Sequence, residues 1–162
     1  MLTAGERAPD FAVKGMDGRD YALRDALARG PLLLVFFKIS CPTSQFTAPH
    51  VERLHQQIAS RGGQIWGISQ DSASDTSRFA QQYSLTIPIL LDEKPYLLSR
   101  QYGLRFVPSI FLVDPDTRIR MAFDGFSKPD LLETQGFFAD HFSFVPPPFF
   151  PDGKKIPQYK PG

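Results

Sequence analysis

The chain has 162 residues, of which 42% are hydrophobic and 22% are charged, and its formal net charge at pH 7 is +1. This length supports one sizeable hydrophobic core, so we expect a single domain. The charges are spread without basic blocks, which argues against nucleic acid or an anionic membrane as a partner. A single cysteine excludes an internal disulfide and a cysteine-based zinc or iron–sulfur site.

Targeting segments are not evident in the sequence. Residues 1–10 lack a charged region followed by an apolar region, and no segment approaches the ~20 apolar residues of a membrane span. We therefore expect a cytoplasmic protein for the sequence as it stands, and a signal or anchor that has been removed stays open.

The first predicted elements are a hairpin and a buried strand. Residues 11–14 and 20–23 flank an Asp17-Gly18 step, which is typical of a tight hairpin turn. Residues 31–39 form an apolar run rich in Leu, Val and Phe. Such a run predicts a central strand that is buried on both faces.

The next predicted element is a helix over roughly residues 42–61. It places Val51, Leu54 and Ile58 on one face and ends at a pair of glycines. Pro49 lies inside it, and we expect a kink there because the proline ring displaces one backbone hydrogen bond.

The rest of the domain alternates strands and helices. Strands are predicted at residues 64–69, 88–91, 109–113 and 119–123, and helices after Ser72, over 95–102, and from Ser127 to about His141. Parallel strand–helix units come first and an antiparallel hairpin comes last. This order predicts an α/β fold with a mixed central sheet and helices on both faces.

The composition changes at Ser143. We predict a domain over residues 1–142 and a proline-rich tail over residues 143–162, which we expect to be extended, without sheet or helix. Phe149 and Phe150 are expected to hold the tail against the domain. The alternative is that the tail is a ligand for a partner protein that recognises proline-rich segments.

The only cysteine follows the buried strand directly. Pro42 comes next, and proline suits the first turn of a helix, so Cys41 is predicted at the apex of a strand-to-helix elbow. The positive end of a helix stabilises a thiolate, which is the nucleophilic form of cysteine. Lys38 adds to this effect if it folds toward the sulfur. The alternative is an inert core cysteine, because free cysteine is among the most buried residue types.

Other polar residues do not form a second site. The nine residues from Cys41 to His50 correspond to about 13 Å along a helix, beyond hydrogen-bond reach, so we expect a surface or packing role for His50 and His55. The acidic residues lack the spacing of metal ligands, and we predict no bound metal. We expect Trp66 to lie in the core or to be half-buried.

Several segments, in order, resemble the thioredoxin superfamily. They are the opening Ala8-Pro9-Asp10-Phe11, the cysteine elbow, Gly67-Ile68-Ser69-Gln70-Asp71-Ser72 and residues 102–114. Roughly residues 5–142 are similar to the redoxin branch, which alkyl hydroperoxide reductase/thiol-specific antioxidant proteins share with thioredoxin-like disulfide reductases. The resemblance implies a thioredoxin-like fold, a redox-active Cys41, and a cis Val107-Pro108 bond facing it where substrate binds. We predict no cofactor.

The sequence departs from both parts of this branch. Ser44 stands where disulfide reductases carry the second cysteine of Cys-x-x-Cys, and a hydroxyl cannot resolve a mixed disulfide. Ser40 and Val35 replace the tryptophan and the buried acid of thioredoxins. Lys38 replaces the threonine by which peroxiredoxins contact peroxide, although Cys41-Pro42-Thr43 is similar to their Cys-Pro-Thr.

We therefore predict a monothiol thiol–disulfide oxidoreductase whose mixed disulfide at Cys41 is released by an external thiol, such as glutathione, or by a protein. A one-cysteine peroxidase and a non-catalytic binding module are the alternatives, and Ser44 as an introduced replacement of cysteine stays open. Arg105 either steers an anionic substrate or is simply exposed. The residues predicted as catalytic are Cys41, Ser44 and Pro108, and those predicted to contact substrate are Pro42, Thr43, Val107, Ser109, Lys38 and Arg105.

Overall fold

The computed structural model describes residues 1–150 and 154–162. The strands are β1 (Ala12–Lys14), β2 (Asp20–Ala22), β3 (Leu32–Phe37), β4 (Gln64–Ser69), β5 (Ile89–Leu91), β6 (Ser109–Val113), β7 (Ile119–Asp124), β8 (Phe126–Ser127) and β9 (Tyr159–Lys160). The α-helices are α1 (Leu23–Leu27), α2 (Pro42–Ile58), α3 (Ala73–Gln82), α4 (Leu97–Gln101) and α5 (Lys128–Phe142). The predicted hairpin, strands and helices between residues 11 and 141 are present.

The central sheet is mixed, as predicted. Its strand order is β5-β4-β3-β6-β7. The β3 strand runs parallel to β4, and β4 runs parallel to β5, whereas β6 is antiparallel to both β3 and β7. The carboxyl ends of β3 and β4 therefore lie at the same edge of the sheet as the start of β6.

The β3 strand is central because both of its faces are apolar. All six of its residues are buried. Leu33, Val35 and Phe37 belong to the core on one face of the sheet, and the alternate residues belong to the core on the other. Alternation of side chains across a strand explains this division.

Helices cover both faces of the sheet. The α2, α3 and α5 helices supply Leu54, Phe79 and Phe138 to one core, while α1 and α4 supply Leu27 and Leu98 to the other. The fold class predicted from the sequence is confirmed. The α1 helix was not predicted, because five residues are too few for a helical repeat to stand out from the adjoining strand.

The hairpin and α2 show how local sequence sets the elements. Gly18 has a φ of +79°, which suits the tight turn between β1 and β2. The α2 helix is continuous from Pro42 to Ile58 with Pro49 inside it. The kink expected at Pro49 stays a prediction. Within the described residues, no helix combines the length and the apolar character that a transmembrane span requires.

The tail corrects one prediction. It is not free of sheet structure, because β9 pairs antiparallel with β8. The main-chain groups of Phe126 and Ser127 offer hydrogen-bond partners to an extended segment, a long-range pairing that proline content does not reveal. Phe149 is only 2% exposed and packs in the core, and its carbonyl accepts a hydrogen bond from Arg53 at 2.9 Å. Residues 151–153 of the predicted tail lie outside the described residues.

Candidate active site

Cys41 lies at the elbow between β3 and α2, as predicted. It is the N-cap residue of α2, with extended backbone angles (φ −82°, ψ 118°), and it is half-buried. Its Sγ accepts a hydrogen bond from the main-chain N–H of Ser44 at 3.5 Å. The sulfur thus occupies the positive end of a long helix, where a thiolate is stabilised.

Hydrogen bonds hold the loop that leads to Cys41. The main-chain N–H of Cys41 donates to the Lys38 carbonyl at 3.1 Å. The N–H of Ile39 donates to Asp71 Oδ2 at 2.8 Å, and Gln45 Nε2 donates to the Ile39 carbonyl at 2.9 Å. The elbow is therefore held in place by the loop that follows β4 and by α2.

The Val107-Pro108 segment faces the cysteine. Its peptide bond is cis, as the resemblance implied. The Cys41 thiol donates to the Val107 carbonyl, with Sγ and O 3.2 Å apart. Ser109 was predicted to contact substrate, but the structure places it fully buried, and its hydroxyl donates to the Phe106 carbonyl at 2.8 Å. The Ser109 side chain thus stabilises the loop that precedes β6.

A cavity of about 390 Å³ opens beside Cys41. Three predicted site residues line it, namely Cys41, Arg105 and Val107. The lining residues that the sequence did not indicate are Gln70, Tyr96, Ser99, Arg100, Leu104, Phe106 and Gly162. Gln70 follows β4, and α4 follows β5. Ligand sites in open α/β sheets lie beyond the carboxyl ends of parallel strands, so this position in the chain could have indicated these residues.

Asp92 organises the wall of this cavity. It is buried, and its carboxylate accepts hydrogen bonds from the main-chain N–H groups of Leu98 and Ser99 at 3.0 and 2.8 Å. The Ser99 hydroxyl donates to the same carboxylate at 2.7 Å and accepts from Gln70 Nε2 at 2.9 Å. These bonds hold α4 against the loop that follows β4.

Ser44 and Pro108 lie beneath the site. Ser44 is 2% exposed, and among the described residues its Oγ has no hydrogen-bond partner. Both residues line an apolar hollow of about 20 Å³ together with Val35 and Phe37. A buried hydroxyl without a partner is costly, whereas a thiol tolerates such surroundings.

The other predicted site residues differ in their placement. Pro42 is exposed at the first position of α2. Thr43 is 7% exposed, and its hydroxyl donates to the Pro161 carbonyl at 2.5 Å. Lys38 is half-buried, and within the described chain it is not among the residues that line the cavity.

The histidines of α2 lie outside the site, and His50 packs among aromatic rings. It is 8% exposed, and its ring centroid lies 5.3 Å from that of Phe126 and 5.2 Å from that of Phe150. Burial lowers the pKa of His50 to about 4, with a further contribution from the positive charge of Arg53. Trp66 is 4% exposed, in agreement with its predicted core position.

No metal centre accompanies the cysteine within residues 1–150 and 154–162, where no three His, Cys, Asp or Glu side chains are grouped to hold an ion. The groups that the described residues bring together at the site are therefore one thiol, a helix N-terminus and a main-chain carbonyl.

Comparison with known proteins identifies the family. Residues 4–122 match the AhpC/TSA family. The chain belongs to the AhpC/TSA family. This assignment confirms the redoxin branch of the thioredoxin superfamily, and it agrees with the elbow, the mixed sheet and the cis proline described above.

Relatives of this AhpC/TSA member include both oxidoreductases and peroxiredoxins. The chain is 26% identical over 125 residues to the thiol-disulfide oxidoreductase ResA of Geobacillus thermodenitrificans, which is 76% of this chain and 71% of ResA. It is 32% identical over 108 residues to a Helicobacter pylori protein assigned as peroxiredoxin bcp, which is 65% of this chain and 71% of that protein. A crystal structure of a Chlorobium tepidum protein assigned as the thiol:disulfide interchange protein DsbE superposes with a TM-score of 0.75 at 25% identity, covering 86% of this chain and 99% of that one. The family and the fold together give the chain a thioredoxin-like redox role.

Proposed function

We propose that this protein is a monothiol thiol–disulfide oxidoreductase in which Cys41 is the nucleophile. One observation carries the proposal: the half-buried Cys41 sulfur lies at the N-terminus of α2, 3.2 Å from the carbonyl oxygen of Val107, and opens into a cavity. The similarity to ResA and DsbE supports disulfide exchange as the reaction. The finer statement, that a single thiol performs it, rests on Ser44.

The reaction takes two balanced exchanges. The Cys41 thiolate attacks one sulfur of a substrate disulfide, so that a bond forms from Sγ to this sulfur and the substrate S–S bond breaks. The departing thiolate takes up a proton. An external thiol gives up its proton and attacks, as a thiolate, the substrate-derived sulfur of the mixed disulfide; an S–S bond forms between these two sulfurs, the bond to Sγ breaks, and Cys41 returns as a thiolate. One disulfide is thereby exchanged for another, and the protein undergoes no net oxidation or reduction.

The surrounding groups favour this cycle. The Ser44 N–H and the end of α2 stabilise negative charge on Sγ before attack and after release. The bonds from Ile39 to Asp71 and from Gln45 to Ile39 keep the elbow in place, so little reorganisation is needed. Ser44 has no sulfur, which leaves the mixed disulfide to an outside thiol.

Intact-protein mass spectrometry tests the proposal. We expect the wild type to gain one thiol moiety from a low-molecular-weight disulfide, at a rate above that of free cysteine, and to lose it when a thiol is added. Cys41→Ser gains nothing and has no turnover. A wild-type rate no faster than that of free cysteine would contradict the proposal, and retained partner binding by Cys41→Ser would then favour the binding module.

A peroxidase is the second candidate, favoured by the 32% identity to the protein assigned as peroxiredoxin bcp. Hydrogen peroxide would oxidise Cys41 to a sulfenic acid with release of water, and two equivalents of an external thiol would reduce it to the thiol, with formation of a disulfide and release of a second water. Lys38 at the place of the peroxide-contacting threonine argues for slow turnover. Peroxide consumption with an added thiol, compared between the wild type and Lys38→Thr, measures this activity.

A further inference from the structure

The cavity beside Cys41 carries unpaired positive charge. Arg100 and Arg105 both line it, and neither Asp nor Glu is among its described lining residues. Both arginines are exposed. Within residues 1–150 and 154–162, neither guanidinium lies within 4.0 Å of a carboxylate, since the ion pairs found there involve other arginines.

Two free guanidinium groups at one cavity favour anionic ligands. A guanidinium binds a carboxylate through two parallel hydrogen bonds, and it stays charged at every physiological pH. Tyr96, Ser99 and Gln70 add neutral hydrogen-bonding groups to the same wall. The volume of about 390 Å³ is that of a small-molecule site.

The end of the tail reaches the same cavity, where Gly162 is among the lining residues. A Cβ atom on Gly162 would lie 2.5 Å from the Val107 carbonyl oxygen, so the Gly162 backbone lies directly against Val107. The Pro161 carbonyl accepts the hydrogen bond of Thr43. Thr43 and Val107 were both predicted to contact substrate, and the chain's own tail occupies these contacts.

Specific contacts hold the tail there. The β9 strand pairs with β8, and Lys128 N–H donates to the Gln158 carbonyl at 2.9 Å. The Tyr159 hydroxyl donates to Asp124 Oδ1 at 3.0 Å. Lys160 Nζ lies 5.2 Å from the centroid of the Phe46 ring. Residues 158–160 are thus anchored on the β8 edge, and Pro161 and Gly162 occupy the surface beside Thr43 and Val107.

We propose that Cys41 reacts with the disulfides of small anionic thiols, which bind through Arg100 and Arg105. We also propose that residues 158–162 exclude extended peptide substrates. This proposal rests on the proposed function and names the substrate class of the same site. Carboxylates of a low-molecular-weight thiol pair with the arginines, while its sulfur reaches Sγ through the cavity. A peptide disulfide has to displace the tail first.

Charged disulfide probes test the first half. Dithiobis(nitrobenzoate) is anionic, dithiodipyridine is neutral and cystamine is cationic, and each forms a mixed disulfide with Cys41. Rates are divided by those of free cysteine with the same probe. We expect at least a tenfold preference for the anionic over the cationic probe at low salt, reduced at high salt by screening. Arg100→Gln and Arg105→Gln should each reduce it several-fold, whereas Arg19→Gln, on the distant hairpin, should not.

Removal of residues 158–162 tests the second half. Phe149 and Phe150 remain in the shortened chain, and a thermal melt establishes that it is folded. We expect the rate with a disulfide-bonded peptide to rise at least fivefold, while the rate with dithiobis(nitrobenzoate) changes less than twofold. Tyr159→Ala keeps the chain length and removes the hydrogen bond to Asp124, and it should give a smaller rise.

The outcomes separate the two proposals. Equal normalised rates for the three probes, or a peptide rate unchanged in both tail variants, would overturn the inference on substrate class and leave disulfide exchange intact. If no probe reacts faster with Cys41 than with free cysteine, the proposed function itself fails.

Discussion

The Cys41 sulfur lies 3.2 Å from the carbonyl oxygen of Val107, a residue 66 positions further along the chain. The sheet register accounts for this contact. Phe36, near the end of β3, pairs with Ser109 at the start of the antiparallel β6. The residues that follow β3 and those that precede β6 therefore meet at one edge of the sheet, and there the thiol and the main-chain carbonyl are brought together.

Ser44→Cys should convert the monothiol into a dithiol. Cys41 and Ser44 are separated by one turn at the start of α2, which is within the reach of a disulfide. We expect the variant to form an internal disulfide on oxidation, because the introduced thiol attacks the mixed disulfide at Cys41 and releases the substrate thiol, so that the mixed disulfide does not accumulate. Thiol counting and non-reducing mass spectrometry measure this.

Ser44→Ala is the matched control for that change. It removes the same unpartnered hydroxyl without adding a thiol, so any gain in stability common to both variants comes from the hydroxyl. We expect both to raise the melting temperature, because leaving a buried polar group unpaired costs about 1–3 kcal/mol. A fall in melting temperature in both variants would show that the hydroxyl is satisfied in solution.

Asp71→Ala should slow the reaction of Cys41 several-fold. The carboxylate is the acceptor for Ile39 N–H at 2.8 Å, and without it the loop before the cysteine is less well held. Stopped-flow measurement of the reaction with a neutral disulfide gives the rate. Asp71→Asn keeps an acceptor oxygen and should recover most of it, and equal losses in the two variants would point to the charge instead of the hydrogen bond.

The stability of the protein should fall below about pH 6.5 because of His50. Burial lowers its pKa in the folded state to about 4, so between these values the unfolded chain binds a proton that the folded chain does not. The stability contributed by the neutral ring is present above the ordinary pKa and is lost as the pH falls toward 4. The loss is on the order of 2 kcal/mol, less than the full shift implies because water reaches part of the site.

His50→Phe isolates this effect. Phenylalanine retains an aromatic ring among Phe46, Phe126 and Phe150 and does not titrate. Thermal melts of both proteins from neutral to acidic pH should show the wild type losing stability relative to His50→Phe as the pH falls. A difference that does not change with pH would contradict the assignment.

Phe149→Ala should destabilise the protein by about 3–5 kcal/mol, the usual cost of removing a buried phenylalanine ring. Phe149 is 2% exposed and packs in the core, whereas Val145, in the same tail, is 93% exposed. Val145→Ala is therefore the control, with an expected change within about 0.5 kcal/mol. Chemical denaturation gives both values. Removal of residues 143–162 should lower the melting temperature as well, and an unchanged melt would show that the tail does not hold to the domain.

The sequence alone determined the main elements and the position of the thiol. The bounds predicted for β4 and β6 agree with the structure, because apolar runs and turn residues are local signals. Pro42 likewise indicated where α2 begins and therefore where the elbow lies, because proline is favoured at the first position of a helix. Only the tertiary structure decided that Arg100 joins Arg105 in one cavity, that the Ser44 hydroxyl is unpartnered, and that Gly162 lies against Val107. These relationships join residues from separate elements, and they depend on how the sheet register and the helices place distant loops, which no local pattern records.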